Sequence, residues 1–515
     1  MKSFNLKLIY ALALFTQVFV VHAADFPTKH EREAIAESLL NGIESVDGVT
    51  IELRDSTRVV KWENFKKIAT RNVVSASAWS SLYSAINNIH DGIINRHSYI
   101  QVEEGIRKHV KAIAKWPRYK LGYTWPNITF FDLDNKQTIL SLNGTSVIDL
   151  FDEFFNLYCN DVHDIGCLKL FSVAIGRGYR FKDNAEKLDV TFKDGSKKQV
   201  LTPQKLKKTA KKSEPKQCEN LYTSLPKNLV FKGDQSCLFE IDNHYLLKIR
   251  YFGRWGTEQN DIYCQKVTAE GMCSDILAIK NLLSQQAAKP LIIDLQNNGG
   301  GSENTPWIAA LTTNGFMDNV VLYRNLALLK DKDIRKDSFY DNEYAENWYQ
   351  KIKVNMSEQH KYLPPRADFC RGSKECALEN IPSAKLPIQY HALTLVVNEA
   401  CVSSCDDFVW RTRRYAQAKT VGQLPATDGA YARIKGYIYV DKQGNIGHTH
   451  VGESQDVPAE AETLLVSYRM PISKTIDVDG NNLDGADNVL DVAIPITKEN
   501  YTNIEDINVK FALGL

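Results

Sequence analysis

Leu291-Ile292-Ile293-Asp294-Leu295-Gln296-Asn297-Asn298-Gly299-Gly300-Gly301-Ser302 is the stretch from which the fold of this 515-residue chain is read. Its first five residues form an almost continuous apolar run, the signature of a strand buried on both faces, as in parallel sheets covered by helices. Three glycines follow at once, and Thr305 to Leu311 then reads as helical. Glycines at such a junction let backbone N–H groups turn outward at a helix N-terminus, where a developing negative charge is stabilised. A dinucleotide loop requires G-x-G-x-x-G and a phosphate loop G-K-[ST], and neither spacing occurs. Taken alone, the glycines fit a tight turn or an oxyanion site.

A second buried-strand run, Leu393-Thr394-Leu395-Val396-Val397, leads into Asn398-Glu399-Ala400-Cys401-Val402-Ser403-Ser404-Cys405-Asp406-Asp407-Phe408 and a helical stretch to about Ala416. A serine at this junction is exposed at the top of a sheet, beside free N–H groups and the helix dipole, which suits a nucleophile; serine is equally a helix N-cap. Upstream, Tyr245 to Ile249 reads as a strand and Ser274 to Ala287 as a helix. Strands alternating with helices define an α/β layered sheet.

Outward from this core the texture changes. Ile35, Leu39, Leu40 and Ile43 fall on one face of a helix from Lys29 to about Ser45, and Trp79, Leu82, Tyr83, Ile86 and Ile89 repeat the pattern. Between about Arg118 and Pro203, short strand-like runs such as Ile139 to Leu142 and Leu188 to Lys193 end in Asn-Gly and Asp-Gly turns. The lysine-rich stretch Lys205 to Lys216 reads as a solvated linker. The expected organisation is therefore 1–24 leader, 25–110 helical unit, 111–204 β-rich domain, 205–236 linker and 237–515 α/β core.

The leader carries Lys2 and Lys7, an apolar run from Leu8 to Val21, and small residues at Ala23 and Ala24. That run is shorter than the roughly 20 residues needed to span a bilayer, so it reads as a secretory signal and the protein as exported, periplasmic or extracellular, without an integral span. In an oxidising compartment the ten cysteines are expected to pair in sequence: Cys159/Cys167, Cys218/Cys237, Cys264/Cys273, Cys370/Cys376 and Cys401/Cys405. No C-x-x-C occurs, His448-Thr449-His450 has no nearby cysteine, and the acidic run Asp477 to Gly480 lacks the glycine and glutamate spacing of a calcium loop, so no metal or organic cofactor is implied. A formal net charge of +1 with 43% apolar residues argues against a nucleic-acid partner and against disorder. The oligomeric state is not encoded in these features.

The two strand-to-helix segments in this order, with Val421-Gly422 after them, resemble the tail-specific, or C-terminal processing, serine protease family, in its tricorn-like and interphotoreceptor retinoid-binding protein-like branch. The family's D-x-R-x-N-x-G-G is matched at Asp294 to Gly301, with Gln296 at the usual arginine. Its N-x-x-[ST]-A-S-A-S-E segment is matched from Asn398 to Asp406. The resemblance spans about Phe239 to the C-terminus, with weaker echoes upstream. It implies a ClpP/crotonase-like layered core, and a PDZ-like middle domain in which Leu140-Ser141-Leu142-Asn143-Gly144 is the matching element.

The resemblance also implies the site. The nucleophile falls on Ser403, and backbone N–H groups of Gly300 and Ser404 form the oxyanion hole. The bacterial dyad's lysine and glutamine positions are Asp428 and Ala432, so that design does not apply. The tricorn-like design uses an upstream histidine, here His97 in Asn95-Arg96-His97-Ser98-Tyr99, and a carboxylate near the C-terminus, here Asp484. His448 and His450 stand in reserve as bases. An alcohol becomes a competent nucleophile when an imidazole takes its proton and a third group orients the ring. The implied activity is an exported serine endopeptidase acting on proteins or peptides through an acyl-enzyme; the second reading is a non-catalytic peptide- or lipid-binding protein on the same fold. Cys401 and Cys405 bracket Ser403 at i,i+4, about 6 Å apart on one helical turn, and are expected to stiffen it as a disulfide.

Overall fold

The computed structural model describes residues 26–47, 56–91, 93, 97–110, 119–159, 165–176, 187–201, 217–257, 261, 263–302, 304–355, 360–368, 370, 376–425, 432–480 and 490–515. The leader, the lysine-rich stretch, Arg96, Asp428 and Asp484 lie outside the described residues.

Three helices open the fold: α1 (Lys29–Val46), α2 (Ser56–Val74) and α3 (Trp79–Asp91). Thr28 caps α1 reciprocally with Glu31, and Ile35, Leu39, Leu40 and Ile43 are buried as their spacing requires. α2 was not foreseen; its buried residues Trp62, Phe65, Ala69 and Val73 form one stripe between long polar stretches. Strand β1 (Tyr99–Val102) follows the turn at His97.

The middle segment combines strands with two helices. Strands β2 (Ile139–Leu142) and β3 (Thr145–Ser146) lead into helices α4 (Val147–Tyr158) and α5 (Ile165–Gly176), and strands β4 (Lys187–Phe192) and β5 (Lys197–Leu201) complete a sheet ordered β3-β2-β4-β5. α4 starts on a Ser146 cap, and Val147, Leu150, Phe151 and Phe154 are buried at i, i+3, i+4 and i+7.

The core is a seven-stranded mixed sheet. It contains β6 (Asn228–Lys232), β7 (Ser236–Ile241), β8 (His244–Ile249), β9 (Leu291–Asp294), β10 (Thr394–Val397), β11 (Lys419–Gly422) and, after the residues of the second sheet below, β15 (Val492–Ala493). Their spatial order is β15-β11-β10-β9-β8-β7-β6. The sheet thus begins ahead of residue 237, within the segment expected to be linker. Strands β8, β9, β10, β11 and β15 are parallel to their neighbours in this set, and β6 and β7 are added antiparallel. The central strands β9 and β10 carry almost fully buried apolar residues, as their sequence runs predict. Helices α6 (Met272–Leu283), α7 (Thr305–Leu311), α8 (Ser404–Ala416) and α9 (Ile504–Leu513) accompany it.

A second, antiparallel sheet holds β12 (Arg433–Asp441), β13 (Ile446–Gly452) and β14 (Ala461–Pro471), and its remaining strand is β1, in the order β1-β14-β12-β13. Tyr99 pairs with Arg469 and Val102 with Val466, so the N-terminal unit is stitched into a sheet made by the distant C-terminal region. α1 lies against this sheet so closely that a Cβ on Gly42 would come 2.3 Å from Tyr468 Oη, which explains a glycine inside a helix despite its cost of about 1 kcal/mol. All five cysteine pairs are bonded in sequence as expected. No described helix is long and apolar enough to cross a membrane. Among the described residues no His/Cys/Asp/Glu group is arranged to hold a metal. Asp477 and Asp479 pair with Arg414 of α8.

Candidate active site

Ser403 stands between β10 and α8, at the N-cap position, with φ 63° and ψ −130°. An ordinary N-cap has β-region dihedrals and a side-chain oxygen accepting an N–H of the first turn. Ser403 has neither, since its side chain makes no capping hydrogen bond. Its Oγ instead lies 3.1 Å from His97 Nε2, across a sequence separation of 306 residues. Both residues are half-buried. The β1–β14 pairing carries His97 there, and Glu103 N–H donates to Leu465 O at 2.9 Å to continue the clamp.

α8 is built to tolerate negative charge at this end. Asp406 and Asp407 occupy its first turn and Arg413 and Arg414 its last, matching the helix dipole. As the first residue of the helix, Ser404 has an N–H without an intrahelical acceptor. Its Oγ–H donates to Gly301 O at 2.9 Å, and Asn304 Nδ2 donates to Ser404 O at 2.6 Å, tying the two strand-to-helix junctions together.

A polar frame of asparagines, two of them motif positions to which the sequence assigned no role, sets the glycine loop. Asn398 Oδ1 accepts from Asn297 N–H at 3.0 Å and from Ala400 N–H at 3.1 Å. Asn298, fully buried, accepts from Gly300 N–H at 2.9 Å through Oδ1 and donates to Ile249 O at 3.2 Å through Nδ2. The Gly300 N–H, expected as an oxyanion donor, is therefore engaged within its own loop. Gly300 contributes space instead: at φ 81°, a Cβ there would meet Val402 O at 2.5 Å, Ser403 Cβ at 2.8 Å and Ser404 N at 3.0 Å. The next residue points differently. Phe252 N–H donates to Gly300 O at 3.0 Å and Ser302 N–H to Phe252 O at 2.5 Å. That bridge leaves the C=O of Gly301 on the opposite side, where it meets Ser404.

Beneath the loop, Gln296 replaces the guanidinium a charged arginine would have placed there. Gln296 Nε2 donates to Glu505 O at 3.0 Å, and Asn508 Nδ2 donates to Gln296 Oε1 and to Gln423 Oε1, each at 2.8 Å. The C-terminal helix α9 is therefore anchored under the site by neutral amides. Lys248 donates to Gln296 O at 2.6 Å and lies 3.2 Å from Asp294, which also accepts from the Tyr222 hydroxyl. Burial, then the Asp294 charge, pushes the Tyr222 phenol well above its ordinary pKa and keeps it a donor. Lys169 of α5 reaches Glu399, in the loop leading to Ser403, at 2.8 Å, so the middle segment abuts the site.

The reserve histidines lie in a different setting. His448 and His450 both bond Tyr468 Oη through Nε2, at 2.7 and 2.8 Å, and His450 Nε2 also contacts Gly42 O at 3.2 Å. They join α1 to the antiparallel sheet, and burial lowers both pKa values, that of His450 to about 4.

No protein-family model matches the chain, and no curated protein matches it. Solved structures do. Mature CPAF complexed with lactacystin superposes with a TM-score of 0.54 at 11% identity, over 95% of this chain and 99% of that one. The photosystem II D1 C-terminal processing protease gives 0.34 at 10% identity, over 91% and 94%. Tricorn protease gives 0.32 at 10% identity, over 94% of this chain and 36% of its own. The chain is a mixed α/β protein. More particularly, it shares the fold of mature CPAF along nearly its whole length.

Proposed function

We propose that this chain is an exported serine endopeptidase, with Ser403 as nucleophile, His97 as general base and Asp484 as the carboxylate that orients the imidazole. The observation that carries the reading is the 3.1 Å contact between Ser403 Oγ and His97 Nε2, made by a serine whose backbone is held away from its ordinary capping conformation. In the forward step Nε2 accepts the hydroxyl proton as Oγ attacks the scissile carbonyl carbon. The carbonyl oxygen gains negative charge and is received by the Ser404 N–H, reinforced by the N-terminal end of α8. His97 then returns the proton to the leaving amine, and water repeats the sequence on the ester to free Ser403.

In the same reading the seven-stranded sheet and its helices are a ClpP/crotonase-like core, and the middle segment with α4 and α5 is PDZ-like. The five disulfides support an oxidising destination for the chain, with residues 1–24 as its export signal. Labelling with a fluorophosphonate probe tests the assignment: wild type reacts covalently, while Ser403→Ala does not and His97→Ala reacts far more slowly. A folded wild type that takes no label would instead favour a non-catalytic peptide- or lipid-binding protein.

A further inference from the structure

We propose that the Cys401–Cys405 disulfide is a positioning element for the reaction at Ser403, and that closing it is the step that switches the site on. The proposal rests on the reading of Ser403 as nucleophile. The bond encloses only Val402, Ser403 and Ser404, its Cα atoms stand 5.2 Å apart, and both cysteines are 0% exposed.

Ser403 has two competing ways to sit at the head of α8. In the relaxed one it is an ordinary N-cap: φ is negative and Oγ accepts an N–H of the first helical turn. In the observed one φ is 63°, no cap bond forms, and Oγ meets His97. A side-chain-bearing residue at such a φ persists only where its surroundings over-determine it. Hydrogen bonds restrain the turn as well: Val402 N–H to Asn298 O at 3.3 Å, Cys405 N–H to Val402 O at 3.2 Å, Ser404 Oγ–H to Gly301 O at 2.9 Å and Asn304 Nδ2 to Ser404 O at 2.6 Å, but each is a single non-covalent contact. The covalent closure on either side of Ser403 is the stiff one. Without it the turn opens toward the capped form, and the nucleophile points to its own helix rather than to the imidazole.

Closure is a two-electron oxidation. The two thiols lose two protons and two electrons to a disulfide-bearing oxidant, which is released as a dithiol while the Cys401–Cys405 bond forms. Because both sulfurs are buried in the folded protein, exchange with external thiols is blocked in the native state. The switch therefore operates during folding: the pair is oxidised before the core closes over it, and a chain that folds with the pair reduced is silent.

The test compares the full mature chain with Cys401→Ala/Cys405→Ala and Cys401→Val/Cys405→Ala, the second filling part of the sulfur volume. Cys264→Ala/Cys273→Ala serves as a control that removes a disulfide elsewhere. The readouts are kinact and KI for the fluorophosphonate probe, alongside cooperative thermal unfolding. The expected result is a kinact lowered by about 100-fold in both variants, the loss typical of a misplacement near 1 Å, with KI unchanged and the control unaffected. Wild-type kinact in either folded variant overturns the proposal, as does an equal loss in the control. If neither variant folds, wild type refolded with a limiting disulfide oxidant decides: labelled molecules that carry free Cys401 by peptide mapping overturn it, and labelling confined to the closed bond supports it. Wild type that takes no label overturns the nucleophile assignment itself, whatever the cysteines do.

Discussion

Replacing Gly300 by alanine adds one methyl group at the point where the glycine loop faces the nucleophile turn. Built on the present backbone, that carbon would stand 2.5 Å from Val402 O, 2.8 Å from Ser403 Cβ and 3.0 Å from Ser404 N. Ordinary carbon contacts are about 3.5–4.0 Å, so the turn must retreat by roughly 0.7–1 Å. Alanine at φ 81° adds a conformational cost of about 1–2 kcal/mol. Neither neighbour can yield freely, because Val402 and Ser404 belong to the disulfide-closed turn. A displacement of this size between Oγ and Nε2 is expected to slow fluorophosphonate acylation by about 100-fold, while far-ultraviolet dichroism and cooperative unfolding are retained. The assay is the second-order labelling rate of Gly300→Ala against wild type at equal folded fraction. A variant that labels at the wild-type rate with an unchanged melting temperature would refute the proposed role of Gly300 as space for the nucleophile.

Two further expectations concern stability. Burial holds His450 at a pKa of about 4 and lowers that of His448, whereas an unfolded histidine titrates near 6.5. The unfolded chain therefore binds more protons between these values, so stability is full above pH 6.5 and is lost as pH falls toward 4. His450 alone withdraws on the order of 1 kcal/mol by pH 5.5 relative to pH 8, and the melting temperature of His450→Gln should fall less over that range than that of wild type. Gln296→Leu leaves the fully buried Asn508 amide short of a partner and frees α9 from the glycine loop. A loss of about 1–3 kcal/mol in denaturant unfolding is expected, with slower labelling of Ser403; unchanged values in both would remove α9 from the account of the site.

Local patterns in the chain carried a large part of this fold. Apolar runs at Leu291 to Leu295 and Leu393 to Val397 are central strands because a strand covered on both faces has no polar side to show. The helix Thr305–Leu311 and the end of α8 at Ala416 were legible from local periodicity, and the five disulfides from close spacing. α2 and α4 were missed for different reasons. The core stripe of α2 is narrow and diluted by polar residues, while α4 lies among strand and turn signals that dominated the reading of the middle segment.

The sequence alone, through two strand-to-helix junctions, determined that Ser403 and the glycine loop follow neighbouring buried strands, since those signals are local in the chain. Only the tertiary structure decided that His97 reaches Ser403, because a 306-residue separation is closed by β1 pairing with β14, and strand pairing between distant segments leaves no local periodicity to read. It likewise decided that the Gly300 N–H is spent on Asn298. Hydrogen-bond direction is set by the neighbours each peptide meets in space, and the order of residues along one loop does not specify them.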